Sequence, residues 1–294
     1  MENNDTSYIF ENFTAQLWTT TDGPKSLYHY TTTEGARSII SNGKFWVSSF
    51  ETMNDNQELK KGLHIAKGDL PIFLKDIAHL EFAQVIITKW QCFLDEEINN
   101  PSMRPYILCF TESSESKLHW EQYSDTFKGV AIELKHIFKL ENSANGFWVK
   151  VLYDEIQARE NFRINLKKVT ELFLADYQST PNLTENLARK KIKDLFHAYI
   201  QIIFRFAISL KKSKWAGEQE WRLVLFGTPD RNPQLPHGPI NYRTRQSELV
   251  DYLIVDTKKC GYDISGAKTG YHFPSNSLNG FLKFLKTHSI SNVK

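Results

Sequence analysis

One stretch of the sequence combines a strand-like pattern with closely spaced charges: Trp215-Ala216-Gly217-Glu218-Gln219-Glu220-Trp221-Arg222-Leu223-Val224-Leu225. Successive side chains of a β-strand point to opposite faces. A strand here would turn Trp221, Leu223 and Leu225 toward a core and place Glu218, Glu220 and Arg222 on the other face. The two carboxylates would lie about 7 Å apart, because each residue rises about 3.4 Å. Taken alone, this pattern favours an ordinary solvated strand face with mixed charges.

The same pair of carboxylates suits one kind of chemistry, the cleavage of an N-glycosidic bond. Its transition state resembles an oxocarbenium ion, so a fixed negative charge beside the ribose stabilises the developing positive charge. A second carboxylate can orient or deprotonate the attacking nucleophile. NAD fits such a site as a substrate, because nicotinamide leaves as a neutral base.

Upstream, the aromatic run Leu27-Tyr28-His29-Tyr30-Thr31 is predicted to form a short strand. Alternation puts Tyr28 and Tyr30 on one face and His29 with Thr31 on the other. A half-buried, hydrogen-bonded histidine explains this pattern when it is taken alone. The functional alternative is an imidazole that binds a sugar hydroxyl while an aromatic ring stacks on a base.

Trp120 and Tyr123 lie one helical turn apart in a short predicted helix. Core packing is the simpler account of Trp120, and the alternative is that this turn borders a pocket together with the loop 111–116.

The remaining pattern predicts an α+β protein. Strands are expected at 45–48, 106–110, 129–134, 147–153, 221–226 and 249–255, and a helix capped by Thr33 and stopped by Gly43 follows the first strand. Asp55 and Glu58 have capping-box spacing and are expected to open a second helix. Helical periodicity runs through 155–178 and 183–210, and the Pro/Gly-rich stretch 227–239 is expected to be a loop.

Regular βαβ alternation is missing, which favours α+β over a doubly wound sheet. A single domain over 1–294 is predicted, with 155–213 as a helical block that could be an insertion.

Composition excludes several classes of protein. The 294 residues are 41% hydrophobic and carry a formal net charge of +2, so neither disorder nor an obligatory nucleic-acid partner is indicated. Three distant cysteines favour reduced thiols in a cytoplasmic protein. No signal peptide or membrane-spanning run is expected.

Motifs typical of hydrolases, zinc proteases and zinc deaminases are not found in the sequence. Residues 261–269 differ from a phosphate-binding loop because Ala267 separates Gly266 from Lys268. The histidines have no metal-ligand spacing, so no metal is expected.

Taken together, these motifs resemble a widespread bacterial family of unknown function that we associate with the ADP-ribosyltransferase superfamily. The resemblance spans roughly residues 26–256. It is carried by Leu27–Thr31, Asn54-Asp55 with Glu58, Cys109-Phe110-Thr111, Trp120 with Tyr123, Gly129–Ile132 and Glu218–Arg222.

The resemblance implies a split β-sandwich with a central helical block and NAD as co-substrate in its cleft. It implies that Glu220 is the catalytic carboxylate and Glu218 its partner, and that His29 binds the NAD ribose. The residues expected near the cofactor are His29, Tyr28, Tyr30, Thr31, Trp120, Tyr123 and Arg222.

The expected function is mono-ADP-ribosyl transfer onto a macromolecular acceptor, protein or RNA/DNA, of the kind performed by bacterial toxins and phage-defence effectors. An antitoxin or inhibitor protein would then be a further partner. The alternatives are NAD hydrolysis and an inactive module that binds a nucleotide or a partner. Nucleic-acid binding through the basic residues of 189–214 is a further interpretation, although a solvated helix face is the simpler account of them.

Overall fold

The computed structural model describes residues 24–53, 57–80, 83–99, 104–135, 146–227, 239–245 and 247–292. It is a mixed α/β structure whose helices are α1 Thr33–Asn42, α2 Gln57–Ile77, α3 Ala83–Asn99, α4 Lys117–Tyr123, α5 Glu155–Ser179, α6 Glu185–Ser209, α7 Thr257–Cys260 and α8 Ser275–Thr287. The strands are β1 Ser26–Thr31, β2 Lys44–Ser49, β3 Arg104–Thr111, β4 Val130–Lys135, β5 Gly146–Lys150, β6 Glu220–Gly227, β7 Asn241–Arg245, β8 Glu248–Asp256, β9 Asp263–Thr269 and β10 Ser291–Asn292. Short 3₁₀ segments cover Phe50–Thr52 and Ser213–Glu218.

The chain divides into two compact units. The described residues of the first lie within Asp55–Met103 and Leu152–Ser213, and those of the second lie within Thr20–Asn54, Arg104–Val151 and Lys214–Lys294. The predicted helical block at 155–213 is present as α5 and α6, but α2 and α3 share its unit. The prediction of a single domain stays a prediction.

Helices α2, α3, α5 and α6 form the first unit. Gly62 lets α2 approach α6 closely, since a Cβ on it would lie 2.4 Å from the Cα of Ala207. Phe162 stacks on Phe206 with ring centroids 4.4 Å apart, which joins α5 to α6. Among the described residues, no helix is long and apolar enough to cross a membrane.

A single sheet organises the second unit, in the order β10-β9-β4-β1-β3-β2-β8-β7, with β6 pairing with both β3 and β5. One face of this sheet carries the apolar core, including Leu27, Phe110, Trp221 and Leu223. Helices α1 and α8 add Ala36, Ile40, Phe281 and Leu285 to the same core. All the neighbouring strands run antiparallel except β9 and β10, which are parallel.

Strand β3 is the point at which the sheet forks. β6 pairs with one edge of β3 along its whole length, from Arg104 to Thr111. On the other edge, Tyr106 and Ile107 pair with β2, whereas Thr111 pairs with Tyr28 of β1. Strands β1 and β2 therefore share one edge and separate between these two contacts, near Cys109.

Most of the predicted elements are confirmed, with corrections at several positions. The cap of α1 is Thr32 and not Thr33, while Gly43 stops the helix in the left-handed conformation with φ 63°. Strand β5 ends at Lys150, short of the predicted 153. Strands β7 and β9 and helix α8 were not predicted. Asn54 and Asp55, and most of the predicted 227–239 loop, lie outside the described residues.

Candidate functional site

The two carboxylates of the Glu218-Gln219-Glu220 segment lie on different kinds of backbone. Glu218 ends the 3₁₀ segment Ser213–Glu218, and Glu220 begins β6. The prediction that Glu218 belongs to the strand is therefore wrong. Between them, Gln219 has φ 46°, a left-handed conformation that disfavours a residue with a Cβ. Strained backbone of this kind clusters at functional sites.

Both carboxylates are buried, with Glu218 2% exposed and Glu220 3% exposed. Trp221 and Leu223, on the opposite face of β6, are buried as well. The interpretation of a solvated strand face is therefore wrong, because β6 is covered on both faces. Charged groups are rarely buried unless they are paired, so the partners of these residues matter.

Arg222 pairs with Glu220 through two nitrogen–oxygen contacts. Its Nε donates to Oε1 at 2.9 Å and its Nη2 donates to Oε2 at 3.3 Å. The side chains are 1% and 4% exposed. A guanidinium fork fixes both the position and the ionised form of a carboxylate, so Glu220 is held in one orientation as an anion.

Tyr123 is the outermost residue at this site. It is 46% exposed, and its hydroxyl donates to Oε1 of Glu218 at 3.4 Å. His119 lies one turn before it, with the two ring centroids 5.5 Å apart, and the Nδ1 of His119 is 2.7 Å from the hydroxyl of Ser116. Helix α4 thus brings Tyr123 to the Glu218 carboxylate at the end of the 3₁₀ segment.

Tyr30 and Trp120 pack edge to face, with centroids 4.7 Å apart. The Tyr30 hydroxyl donates to the carbonyl of Ser113 and accepts from the amide of Ser116. Trp120 Nε1 donates to the carbonyl of Ser114. Both side chains are buried, so they hold the loop between β3 and α4 in place. Burial raises the pKa of Tyr30, which keeps its phenol protonated.

Tyr28 lies between two carboxylates in one row of the sheet. It pairs with Glu133 of β4 on one side and with Thr111 on the other, and Thr111 pairs with Glu220. Directly paired residues share a face, so Glu133, Tyr28, Thr111 and Glu220 line the same face. Partial burial and the Glu133 carboxylate raise the pKa of Tyr28.

Glu133 is held by hydroxyl groups. Ser26 donates to it at 2.7 Å and Ser265 at 2.8 Å, and Tyr28 donates at 3.4 Å. Its burial alone would raise its pKa, but the hydrogen bonds from Ser26 and Ser265, the charge of Lys135 and the hydrogen bond from Tyr28 outweigh the burial and hold its pKa below the usual range.

His29 lies on the other face, at the fork of the sheet. Its Nδ1 is 3.0 Å from the Cys109 carbonyl, at the part of β3 between the contacts with β1 and β2. Its ring packs against Phe45 of β2 and Phe110 of β3. Burial lowers its pKa, and the Cys109 hydrogen bond opposes this only in part. Since a carbonyl only accepts, Nδ1 carries the proton and the neutral ring keeps Nε2 as an acceptor.

The predicted site residues thus fall into three groups. Glu218, Glu220, Arg222 and Tyr123 meet at the start of β6. Tyr28, Tyr30 and Trp120 lie on the same face of the sheet near β1 and α4, and His29 lies on the opposite face. Thr31 is a partly buried residue at the end of β1, paired with Val130.

Sequence reasoning missed His119, Glu133 and the strained Gln219. The signal for His119 was its place one turn before Tyr123. The contacts of Glu133 and the φ of Gln219 depend on the tertiary structure, and no local pattern marks them. Within the described part of the chain, no group of three or more His, Cys, Asp or Glu is arranged to hold a metal ion.

Comparison with known proteins gives one family match. Residues 119–223 match the model of the family described as "Protein of unknown function (DUF2971)". This segment runs from His119 in α4 to Leu223 in β6, so it includes Tyr123, Glu218, Glu220 and Arg222 but excludes His29. No curated protein and no solved structure matches the chain. None of these findings links the chain to ADP-ribosyltransferases.

Proposed function

We propose that this protein is an NAD-dependent mono-ADP-ribosyltransferase that modifies a macromolecule. The observation that carries the proposal is the pair of buried carboxylates, Glu218 and Glu220, on either side of a strained residue. The resemblance of the motifs to the ADP-ribosyltransferase superfamily supports NAD as the substrate.

In the proposed reaction, the bond between the ribose C1′ and the nicotinamide nitrogen breaks, and its electron pair leaves with the neutral nicotinamide. The anionic Glu220 stabilises the positive charge that develops on the ribose. A lone pair of the acceptor forms the new bond to C1′, and the acceptor's proton passes to Glu218 acting as a general base. Water in place of the acceptor would give NAD hydrolysis.

The remaining residues orient these groups. Arg222 keeps Glu220 ionised and fixed. Because Glu218 is covered and Tyr123 donates to it, NAD must displace the Tyr123 phenol to reach the carboxylate. Tyr28 is placed to contact the cofactor from the same face. The ribose contact expected for His29 is not part of this proposal, because His29 lies on the opposite face of the sheet and its ring packs against Phe45 and Phe110.

The test is the release of nicotinamide from NAD by purified protein, with and without cell lysate. We expect Glu220→Gln to lower the release by at least roughly 100-fold, the size of effect seen when one transition-state contact is removed. Glu34→Gln, in an exposed ion pair of α1 with Arg37, is the matched control and should release nicotinamide at the wild-type rate. Each variant is assayed at a temperature at which circular dichroism shows it folded.

Full release by Glu220→Gln would reject Glu220 as the catalytic group. Release that needs lysate supports transfer to a macromolecule, whereas free ADP-ribose as the product without lysate supports hydrolysis.

One observation favours a second candidate, an inactive module that binds a nucleotide. Glu220 is already neutralised by a buried guanidinium, so its charge is less available to a ribose cation. If calorimetry shows saturable NAD binding but no nicotinamide is released, with or without lysate, the protein is an inactive binding module and not a transferase.

A further inference from the structure

A second group of aromatic and basic side chains lies on the face of the sheet that carries Glu220. Lys44, Trp46 and Ser48 alternate with the core residues Phe45 and Val47 along β2, so they point away from the core. Tyr252 of β8 is paired with Ser48 and therefore shares their face.

Trp46 is unusual because 47% of it is exposed although β2 lies inside the sheet, between β3 and β8. Its ring centroid is 5.0 Å from that of Tyr252. The guanidinium of Arg243, from β7, lies 5.1 Å from the Trp46 ring and 5.6 Å from the Tyr252 ring. A hydrogen bond of 3.0 Å from Nη2 to the Ser48 hydroxyl fixes Arg243 in this position.

These side chains combine two kinds of recognition. Aromatic rings and a stacked guanidinium offer flat surfaces to a nucleobase, and such stacking is tolerant of base identity. The ammonium of Lys44, two residues from Trp46 on an exposed part of β2, and the charge of Arg243 complement phosphates on either side of that base.

The group also lies close to the carboxylates. Ser48 pairs with Ile107 and Ile107 pairs with Val224 of β6, so β2 is two strands from β6, about 10 Å across the sheet. Strands β2 and β6 are both antiparallel to β3, so they run in the same direction. Trp46 precedes Ser48 as Glu220 precedes Val224, so Trp46 is displaced from Ser48 toward the Glu220 end of β6. A chain of a few nucleotides bound at Trp46 therefore reaches the start of β6.

We propose that Trp46, Tyr252, Arg243 and Lys44 form a binding site for a nucleobase of a single-stranded nucleic acid, and that this strand is the acceptor for the proposed ADP-ribosyl transfer. This inference rests on the proposed function and names the class of its acceptor.

The test is the binding of a fluorescently labelled ten-nucleotide RNA and its DNA counterpart, followed by anisotropy in the absence of NAD. Wild-type protein binds one of the strands, with an affinity that falls as the salt concentration rises. Trp46→Ala weakens binding roughly tenfold, as expected for the loss of one stacked base. Trp46→Phe, which keeps a ring, loses less, and Arg243→Gln both weakens binding and flattens the salt dependence.

Tyr242→Ala is the matched control, because Tyr242 is 64% exposed on β7, next to Arg243 and on the opposite face. It binds with wild-type affinity. No binding by the wild type would overturn the proposal, as would equal affinity in folded Trp46→Ala.

The measurement separates this inference from the proposed function. Strand binding is measured without NAD, so it does not depend on nicotinamide release. Trp46-dependent binding by a protein that releases no nicotinamide would reject the transferase and keep the nucleic-acid site. Nicotinamide release stimulated by lysate but insensitive to Trp46→Ala would keep the transferase and reject this acceptor.

Discussion

Each unit of the molecule contains a buried carboxylate that is paired with arginine. In one unit the ion pairs link two helices, and in the other the ion pair lies within one strand. In the first unit Asp69 of α2 binds Arg159 and Arg163 of α5, with the two Nε donors at 2.7 and 3.1 Å from Oδ2. Asp69 is 1% exposed, while the arginine side chains are 43% and 44% exposed. This cluster ties two helices that are distant in sequence and leaves the cations partly hydrated.

In the second unit Glu220 and Arg222 are two residues apart on one strand and both are buried. Their ion pair lies within a single strand, and burying both charges costs desolvation energy. The Asp69 cluster thus links two helices, whereas the Glu220–Arg222 pair lies within the site proposed above to act on NAD.

Replacing Glu220 alone, with Arg222 kept, gives the largest effect on stability expected here. Glu220→Gln leaves the Arg222 charge buried, so we expect it to lower the free energy of unfolding by about 3 kcal/mol. Glu220→Gln with Arg222→Met removes both charges and should return to within about 1 kcal/mol of the wild type. Urea unfolding measures both variants.

The double variant should regain stability without regaining nicotinamide release. If it stays as unstable as the single variant, the pair supports the fold in the same way as Asp69, and the contrast between the units disappears.

Asp69→Asn should destabilise the first unit by about 2 kcal/mol, because it removes charge-assisted hydrogen bonds to two arginines but leaves those arginines in contact with water. Nicotinamide release by the folded variant should be unchanged. Glu155→Gln, in the exposed ion pair with Lys61, is the control and should cost under about 1 kcal/mol. If the control loses more free energy of unfolding than Asp69→Asn, the buried Asp69 cluster contributes no more to stability than an exposed ion pair.

The Asp69 cluster should also respond to acid. Burial raises the pKa of Asp69, but the hydrogen bonds from Arg159 and Arg163 outweigh it and hold that pKa below the usual range. The stabilisation is therefore complete above the unfolded pKa of about 4 and is lost as the pH falls through the lower folded value. Unfolding midpoints measured between pH 6 and pH 2 should show this loss in the wild type and a smaller one in Asp69→Asn; parallel curves would contradict it.

The smallest predicted effect concerns Gln219, the strained residue between the two carboxylates. Gln219→Gly relieves the cost of the left-handed conformation, so stability should rise by about 1 kcal/mol or less. Nicotinamide release should fall, since glycine lets the carboxylates move relative to each other. Thermal unfolding tests the expected gain in stability, and the nicotinamide assay tests the expected loss of activity. A variant with raised stability and full activity would show that the strain has no function.

Local patterns predicted most of the elements that make up the fold. The alternation of Trp221, Leu223 and Leu225 predicted β6, the Tyr-His-Tyr run predicted β1, and the long helical periodicity predicted α5 and α6. These succeed because a period of two or of 3.6 residues records which side of an element faces a core. Strand β9 was missed because 263–269 offers little alternation, and β7 was missed because its side chains are mostly exposed and polar.

The candidate site divides in the same way. The residues with chemistry suited to the proposed site, and their spacing, could be identified from the sequence alone, including Glu218, Glu220 and Tyr123. Tertiary contacts were needed to show that Glu218 leaves the strand, that the Glu220–Arg222 pair is buried, that Tyr123 donates to Glu218 and that His29 lies at the fork beside Cys109. The reason is that burial, ion pairing and left-handed backbone depend on contacts between residues that are far apart in sequence or on the path of the chain between elements, and no periodic pattern records either of them.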